Sequence, residues 1–537
     1  MEIYKKNHIL GKILKFVIMI MAISLILFIV YFNLQPTTVQ TNKKLNFPHV
    51  MPSKRVVLII LDSLMDKPLQ SALKEGKAPA LQYLIDNGRY YPRMVSSYPT
   101  MSITIDSTLL TGTYPEKHKV PALVWYDEHE KRLISYGSDK KEILKLGVKQ
   151  VLFKETLFHL NEHHLSDHVK TIHEEISDRG LQSASINTLV FRGNKTQMLY
   201  VPKLLQVFHF LNKDASVRGP SYFSYGILSK LNPNNKYTHF WQAFGFNDKY
   251  AAEELKYLIE QNRVPSFSLV YFLDNDKKVH KNGVNETKGI EEADKRLQTI
   301  FNTYGSWEKA LKDNVWIVMG DSGQTSIGSD KKKALIDLRR VLKEYRIHKI
   351  SGPIQKKDQI VLGLNERMSF IYLLDESIKV ESIVKQLQKE KRIDNIAWKE
   401  GEAVKVLSVD KKGVLSYQPN GKFIDQYGQS WKIEGDVSIL DIKMKNGHSI
   451  IYGNYPDALA RLYSSFYSHP GNFLVVNVKP GFEFIGEGTP INAGGASHGS
   501  LHEQDTYFPM IVTGTELEPE HLRMVDLKDW ILHILDN

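Results

Sequence analysis

Three apolar runs in this chain each lead to an aspartate, and no other feature constrains the fold as strongly. Arg55 opens onto VVLII and Leu61, a continuous run rich in β-branched residues, and Asp62 comes next. The run SLVYFL (268–273) has Asp276 three residues on, and VWIVMG (315–320) is followed by Asp321. A strand without polar alternation is one covered on both faces, as in a parallel sheet flanked by helices. Helical stretches intervene: APALQYLIDNG, closed by Gly88, and the segment 290–301. Further apolar runs at 370–374, 473–478 and 508–512 read as more strands of the same pattern. This alternation predicts an α/β fold with a mainly parallel central sheet. Ligands bind such sheets beyond the carboxyl ends of the strands, so the three carboxylates are expected to share one rim.

Other residues fit that rim. Asp276 lies in DKKVH, four residues before His280, and a pair at that spacing can share a metal ion from one helical turn. His498 lies in the small-residue stretch GGASHGSLHEQD before the last apolar run. Together with Asp276 and His280 it makes a three-ligand set with an open position, as a catalytic zinc requires. The segment YPTMSITIDSTLLTGTYPEKH (98–118) predicts a helix beginning near Ser102. A hydroxyl there meets unsatisfied N–H groups, a good place for a phosphate, and a nearby divalent metal would generate its alkoxide. Thr100 and Ser102 suit a plain helix cap equally well. A histidine-rich stretch, FHLNEHHLSDHVKTIH (158–173), carries no flanking pattern and reads as a solvated helix.

The N-terminus sets the expected compartment. Residues 16–32 form an uncharged apolar run preceded by Lys5, Lys6, Lys12 and Lys15, and VYFNLQP after it offers no small-residue cleavage site. This predicts an uncleaved signal anchor: a single transmembrane helix, with a cytoplasmic N-terminus and the remaining chain outside the cytoplasm. The expected divisions are 1–33 for the tip and anchor and 34–53 for a Pro-punctuated stalk. They continue with 54–345 for the first part of the catalytic core, 346–455 for a smaller α+β insertion or cap, and 456–537 for the rest of the core. With no cysteine in the chain, disulfides, thiolate metal sites, cysteine nucleophiles and cysteine-linked lipids are excluded. The 70 basic against 60 acidic residues are a modest excess, so no nucleic-acid partner is expected.

Taken in order, LIILDSL, YPTMSITIDSTLLTGTYPEKH, DKKVH, MGDSGQTS and SHGSLHEQD resemble the alkaline phosphatase superfamily, nearest its nucleotide pyrophosphatase/phosphodiesterase-like branch. The resemblance implies that superfamily's three-layer sandwich and two divalent metal ions, zinc or else manganese. Asp276, His280 and His498 would hold one ion. Asp62 and Asp321 would hold the other, next to Ser102 as the nucleophile, with Thr100 as the fallback. Three residues depart from the family pattern. Ser322 stands where the second metal's histidine belongs, which implies a weak second site. Leu123 replaces a phosphate-steadying asparagine, and Lys119 replaces a glycine after His118. The implied activity is a membrane-anchored phosphodiesterase or phosphatase that works on phosphate esters through a phosphoserine. Two alternatives stand beside it: a phospho-alcohol transferase of the same fold acting on surface glycans or lipids, and a non-catalytic surface-binding protein. A sulfatase is disfavoured, because Thr104 lies where its motif has proline.

Overall fold

The computed structural model describes residues 55–537, so the expected anchor and stalk lie outside the described residues. Among the described residues no helix is long and apolar enough to cross a membrane.

A seven-stranded sheet forms the centre. Its order is Arg89–Val95, Tyr507–Thr513, Val315–Met319, Val56–Leu61, Phe267–Phe272, Ser183–Ile186 and Tyr222–Ser224. All neighbours pair in parallel except Tyr507–Thr513, which runs antiparallel to both of its partners. Val56–Leu61 is fully buried because each face has its own cover. Val57, Ile59 and Leu61 join a core with Leu81, Leu84, Ala293 and Leu297, from the helices Pro79–Asp86 and Lys288–Asn302. Val56, Leu58 and Ile60 join the opposite core with Ile105 and Leu109 of the helix Ser102–Thr111 and Ile531 of Leu527–Asp536. The result is a three-layer α/β sandwich.

A second, nine-stranded sheet is mostly antiparallel. The runs at 370–374 and 473–478, grouped with the central strands from sequence, lie here: Phe473–Val478 pairs with Met368–Leu373 and Ile393–Glu400. The physical reason is burial, because both strands are covered on both faces and so read like strands of a parallel sheet.

The expected solvated helix at 158–173 also differs. Residues Lys149–His164 wind as a π-helix that ends at His164, with His168 beyond it and exposed. His164 and His173 are buried.

Candidate metal centre and nucleophile

The carboxyl ends of Val56–Leu61, Phe267–Phe272 and Val315–Met319 lie side by side because the three strands are parallel neighbours. Asp62 follows the first strand directly. Asp276 sits in the first turn of the helix Asp274–Asn282, which puts His280 one turn further on the same face. Asp321 follows the third strand and is 1% exposed.

The His498 loop comes in from the other side at close range. A Cβ on Gly495 would lie 1.9 Å from the His280 carbonyl oxygen, so this contact requires glycine. A buried ion pair between Arg367 and Asp505 fixes the loop from below, and the Arg367 N–H donates to the His498 carbonyl at 3.0 Å.

Ligand atoms of Asp276, His280 and His498 all lie within 4.8 Å of one another. His280 Nε2 is 3.2 Å and His498 Nε2 4.0 Å from Asp276 Oδ1. Zinc bonds of 2.0–2.1 Å in tetrahedral array separate ligand atoms by about 3.3–3.5 Å, so this spacing suits one ion. The imidazoles are also aimed. His280 Nδ1 bonds the Ala496 carbonyl at 2.9 Å, and His498 Nδ1 bonds the Thr100 carbonyl. A carbonyl only accepts, so each Nδ1 donates and each Nε2 is left facing Asp276, the usual orientation of ligating histidines. Glu366, in the left-handed region at φ 56°, lies 4.0 Å from His280 Nδ1 and accepts from Ser497 Oγ at 2.5 Å.

Asp62 and Asp321 face a different environment. Asp321 Oδ1 accepts from the Ser63 and Ser322 N–H groups at 2.8 Å each, and Oδ2 accepts from Tyr271 at 3.0 Å. Ser322 Oγ is buried without a hydrogen-bond partner among the described residues. Ser63 joins the two halves, since its hydroxyl donates to Asp276 Oδ1 at 2.9 Å. Gln324 Nε2 donates to that same oxygen at 2.7 Å.

Charge separates the halves further. Burial opposes the ionised Asp276, but the His280 imidazolium outweighs it and holds the carboxyl well below the usual range. His280 in turn rises to about 10: burial lowers it, and Asp276 and Glu366 more than offset that. Burial, then Asp321, Asp276 and Asp106, push Asp62 well up. Burial followed by Asp321 raises Asp106, and burial also raises Asp321 despite the Ser63 N–H bond.

Ser102 is the first residue of its helix and is half-buried. Met101 holds the cap position and no side chain caps the helix, so neither hydroxyl is used as a cap. Thr100 is fully buried, with its hydroxyl accepting the Gly499 N–H at 2.7 Å. Asp106 lies one turn beyond Ser102, 3% exposed, with Oδ1 unpartnered. Ser63, Gln324, Tyr271, Glu366 and Asp106 escaped the sequence reading. For Ser63 and Gln324 the available signal was adjacency, in LDSL and GDSGQ. Lys119 explains its family glycine: it closes the helix Pro115–His118 at φ 67°. Leu123 is half-buried and packs on the core.

A model of the family described as type I phosphodiesterase / nucleotide pyrophosphatase matches residues 56–436. No curated protein matches the chain in sequence. Among solved structures, human ectonucleotide pyrophosphatase/phosphodiesterase 5 is similar with a TM-score of 0.54 at 13% identity, covering 90% of this chain and 95% of that one. An inactive form of the murine protein, described in complex with AMP, gives 0.53 at 13% identity with the same coverage. At that identity the likeness is one of fold.

Proposed function

The chain belongs to the type I phosphodiesterase / nucleotide pyrophosphatase family, and from that premise we propose that it is a membrane-anchored, extracytoplasmic, metal-dependent hydrolase of phosphate esters that uses Ser102 as its nucleophile. The observation that carries this reading is the convergence of Asp276 with two histidines whose Nε2 atoms are turned inward, on the rim where the Ser102 helix begins.

The donor sets fit divalent metals unequally. Asp276, His280 and His498 would hold one ion, probed first as zinc and then as manganese. Asp62 and Asp321 would hold the second, with Ser322 a poor neutral donor. When bound, such ions supply Lewis-acid polarisation of the phosphoryl group and lower the pKa of a coordinated hydroxyl.

The chain's own groups do the rest. Ser102 Oγ attacks phosphorus in line, the ester oxygen departs, and a phosphoserine forms that water then cleaves. The uncapped first turn of the Ser102 helix turns its N–H groups and dipole towards the negative charge spread over the equatorial oxygens. Thr100 serves as a positioning residue, its carbonyl fixing His498 and its hydroxyl fixing Gly499. The AMP complex of the murine relative motivates nucleotide esters as the first substrates to assay. The apolar, lysine-preceded run at 16–32 supports the anchor and the extracytoplasmic location.

The test uses the full chain in detergent, with bound zinc and manganese counted. Turnover is measured on p-nitrophenyl phosphate, bis-p-nitrophenyl phosphate and a p-nitrophenyl nucleotide ester. Ser102→Ala should lower turnover on the order of 10³-fold or more without loss of metal, while Thr100→Ala keeps measurable activity. A protein that binds no metal and leaves every ester intact refutes the enzyme. The buried, unpartnered Ser322 Oγ favours one second reading, a non-catalytic binding protein, and that outcome would select it.

A further inference from the structure

A second cluster, sharing no residue with the rim, lies on the helix Lys149–His164. Glu155, His159 and His164 bring one ligand atom each to within 4.8 Å of the others. The winding of the helix makes this possible. In an α-helix, at about 3.6 residues per turn, residues nine apart fall on opposite faces. A π-helix bonds i to i+5 and so takes on the order of four and a half residues per turn. Two turns then span nine residues, so Glu155 and His164 share a face with His159 between them. The sequence offers no sign of this, because nothing in FKETLFHLNEHH marks a change of helical period.

Two of the three ligand atoms are buried and unused. Glu155 is 1% and His164 9% exposed. Glu155 Oε2 and His164 Nε2 have no hydrogen-bond partner among the described residues. Glu155 Oε1, by contrast, is held by Arg132 at 2.8 Å and by Gln150. That leaves Oε2 directed at the imidazoles, 3.3 Å from His159 Nδ1 and 3.8 Å from His164 Nε2. These separations bracket the roughly 3.3–3.5 Å expected between ligands of one tetrahedral zinc.

Tyr136 sits behind the site, its hydroxyl 2.7 Å from His164 Nδ1. With the Nδ1 proton donated to Tyr136, Nε2 becomes a lone pair facing Glu155, the same tethering that aims His280 and His498. The His159 side chain is 28% exposed and leaves a way in from solvent.

We propose that Glu155, His159 and His164 form a further binding site for a divalent transition metal of the zinc type, with water at the open position. Arg132, on the strand Arg132–Ser135, and the Tyr136 that follows it hold Glu155 and His164 in place from behind. It does not depend on the hydrolase reading.

The experiment counts zinc per full-length chain after chelator stripping, reloading and desalting. His159→Ala should lose one zinc equivalent and keep its ester turnover. His498→Ala removes a ligand of the other centre, so the double variant should lose both equivalents. Glu155→Gln is the second variant and should show the same single loss. Zinc contents equal in wild type, His159→Ala and Glu155→Gln overturn the site, whatever the common count. A loss of one equivalent that persists in the His498→Ala background establishes it, even if no ester is turned over.

Discussion

The two halves of the rim lie side by side, joined by Ser63, and they solve the burial of carboxylates in opposite ways. Asp276 has two imidazoles beside it, and in the absence of a cation its charge is balanced by His280. Asp62, Asp106 and Asp321 have no such base. Their carboxyls are raised, and Ser322 offers a hydroxyl where a third imidazole would have helped. The first half therefore has its Asp276 charge compensated and is shaped before any ligand arrives. The second half accumulates like charges that only protons or a cation relieve.

The largest break between the halves should come from removing one ligand on each side. His280→Ala is expected to lower zinc affinity at the first half by more than about 100-fold, beyond the 10- to 100-fold typical of losing a supporting residue. It should take ester turnover down with it. Asp62→Asn should also stop turnover but leave most of the tightly bound zinc in place. Isothermal titration of stripped protein separates the two outcomes. Equal loss of tight zinc in both variants would mean that the halves do not differ as the structure implies.

Next in size is the repair. Ser322→His places an imidazole beside Asp321 and should raise both second-metal occupancy and turnover by about 10-fold, the lower end of what one supporting group contributes to a metal site. The readouts are metal stoichiometry and kcat at limiting zinc. Unchanged stoichiometry in the Ser322→His variant would show that Asp106, or another donor, already does the work that Ser322 cannot.

What could be read in the sequence follows this same division. The strands declared themselves because burial on both faces leaves uninterrupted apolar runs. Asp276 and His280 declared themselves because four residues is one helical turn. The departure at Ser322 was visible as soon as GDSG was set against the family pattern. The tethers that aim the histidines were not, because Ala496 and Thr100 act through backbone carbonyls, which every residue has. Asp106 looked like an ordinary helix residue, since nothing in IDSTLL tells that its helix is buried on nearly every side. Glu366 and Arg367 come from the second sheet, and only tertiary contact brings them to His280 and His498. The π-winding of 149–164 was hidden for a related reason: a change of helical period leaves no composition signal, yet it decides which residues share a face.

The smallest effect expected is in stability against pH, and its sign distinguishes the halves most directly. Asp62, Asp106 and Asp321 have folded pKa values above their unfolded value of about 3.9. Groups of this kind contribute stability that is complete below the unfolded pKa and is lost as pH rises through the folded values. The second half therefore weakens the metal-free protein as pH climbs from about 4. The first half behaves otherwise. The lowered Asp276 contributes fully above about 3.9, and the raised His280 contributes fully up to about 6.5, its share then declining as pH rises towards about 10, so the halves differ in sign between about pH 4 and 6.5. Stripped protein should thus melt at a lower temperature at pH 8 than at pH 5, and saturating zinc should shift the melt more at pH 8, where it replaces the missing protons. Asp106→Asn removes one of the competing charges while nearly keeping the side chain's shape. It should raise the melting temperature of the stripped protein at pH 8 and change it little at pH 4. A stripped protein that gains stability from pH 5 to pH 8, with no response to Asp106→Asn, would mean that the second half is not the crowded acidic pocket described.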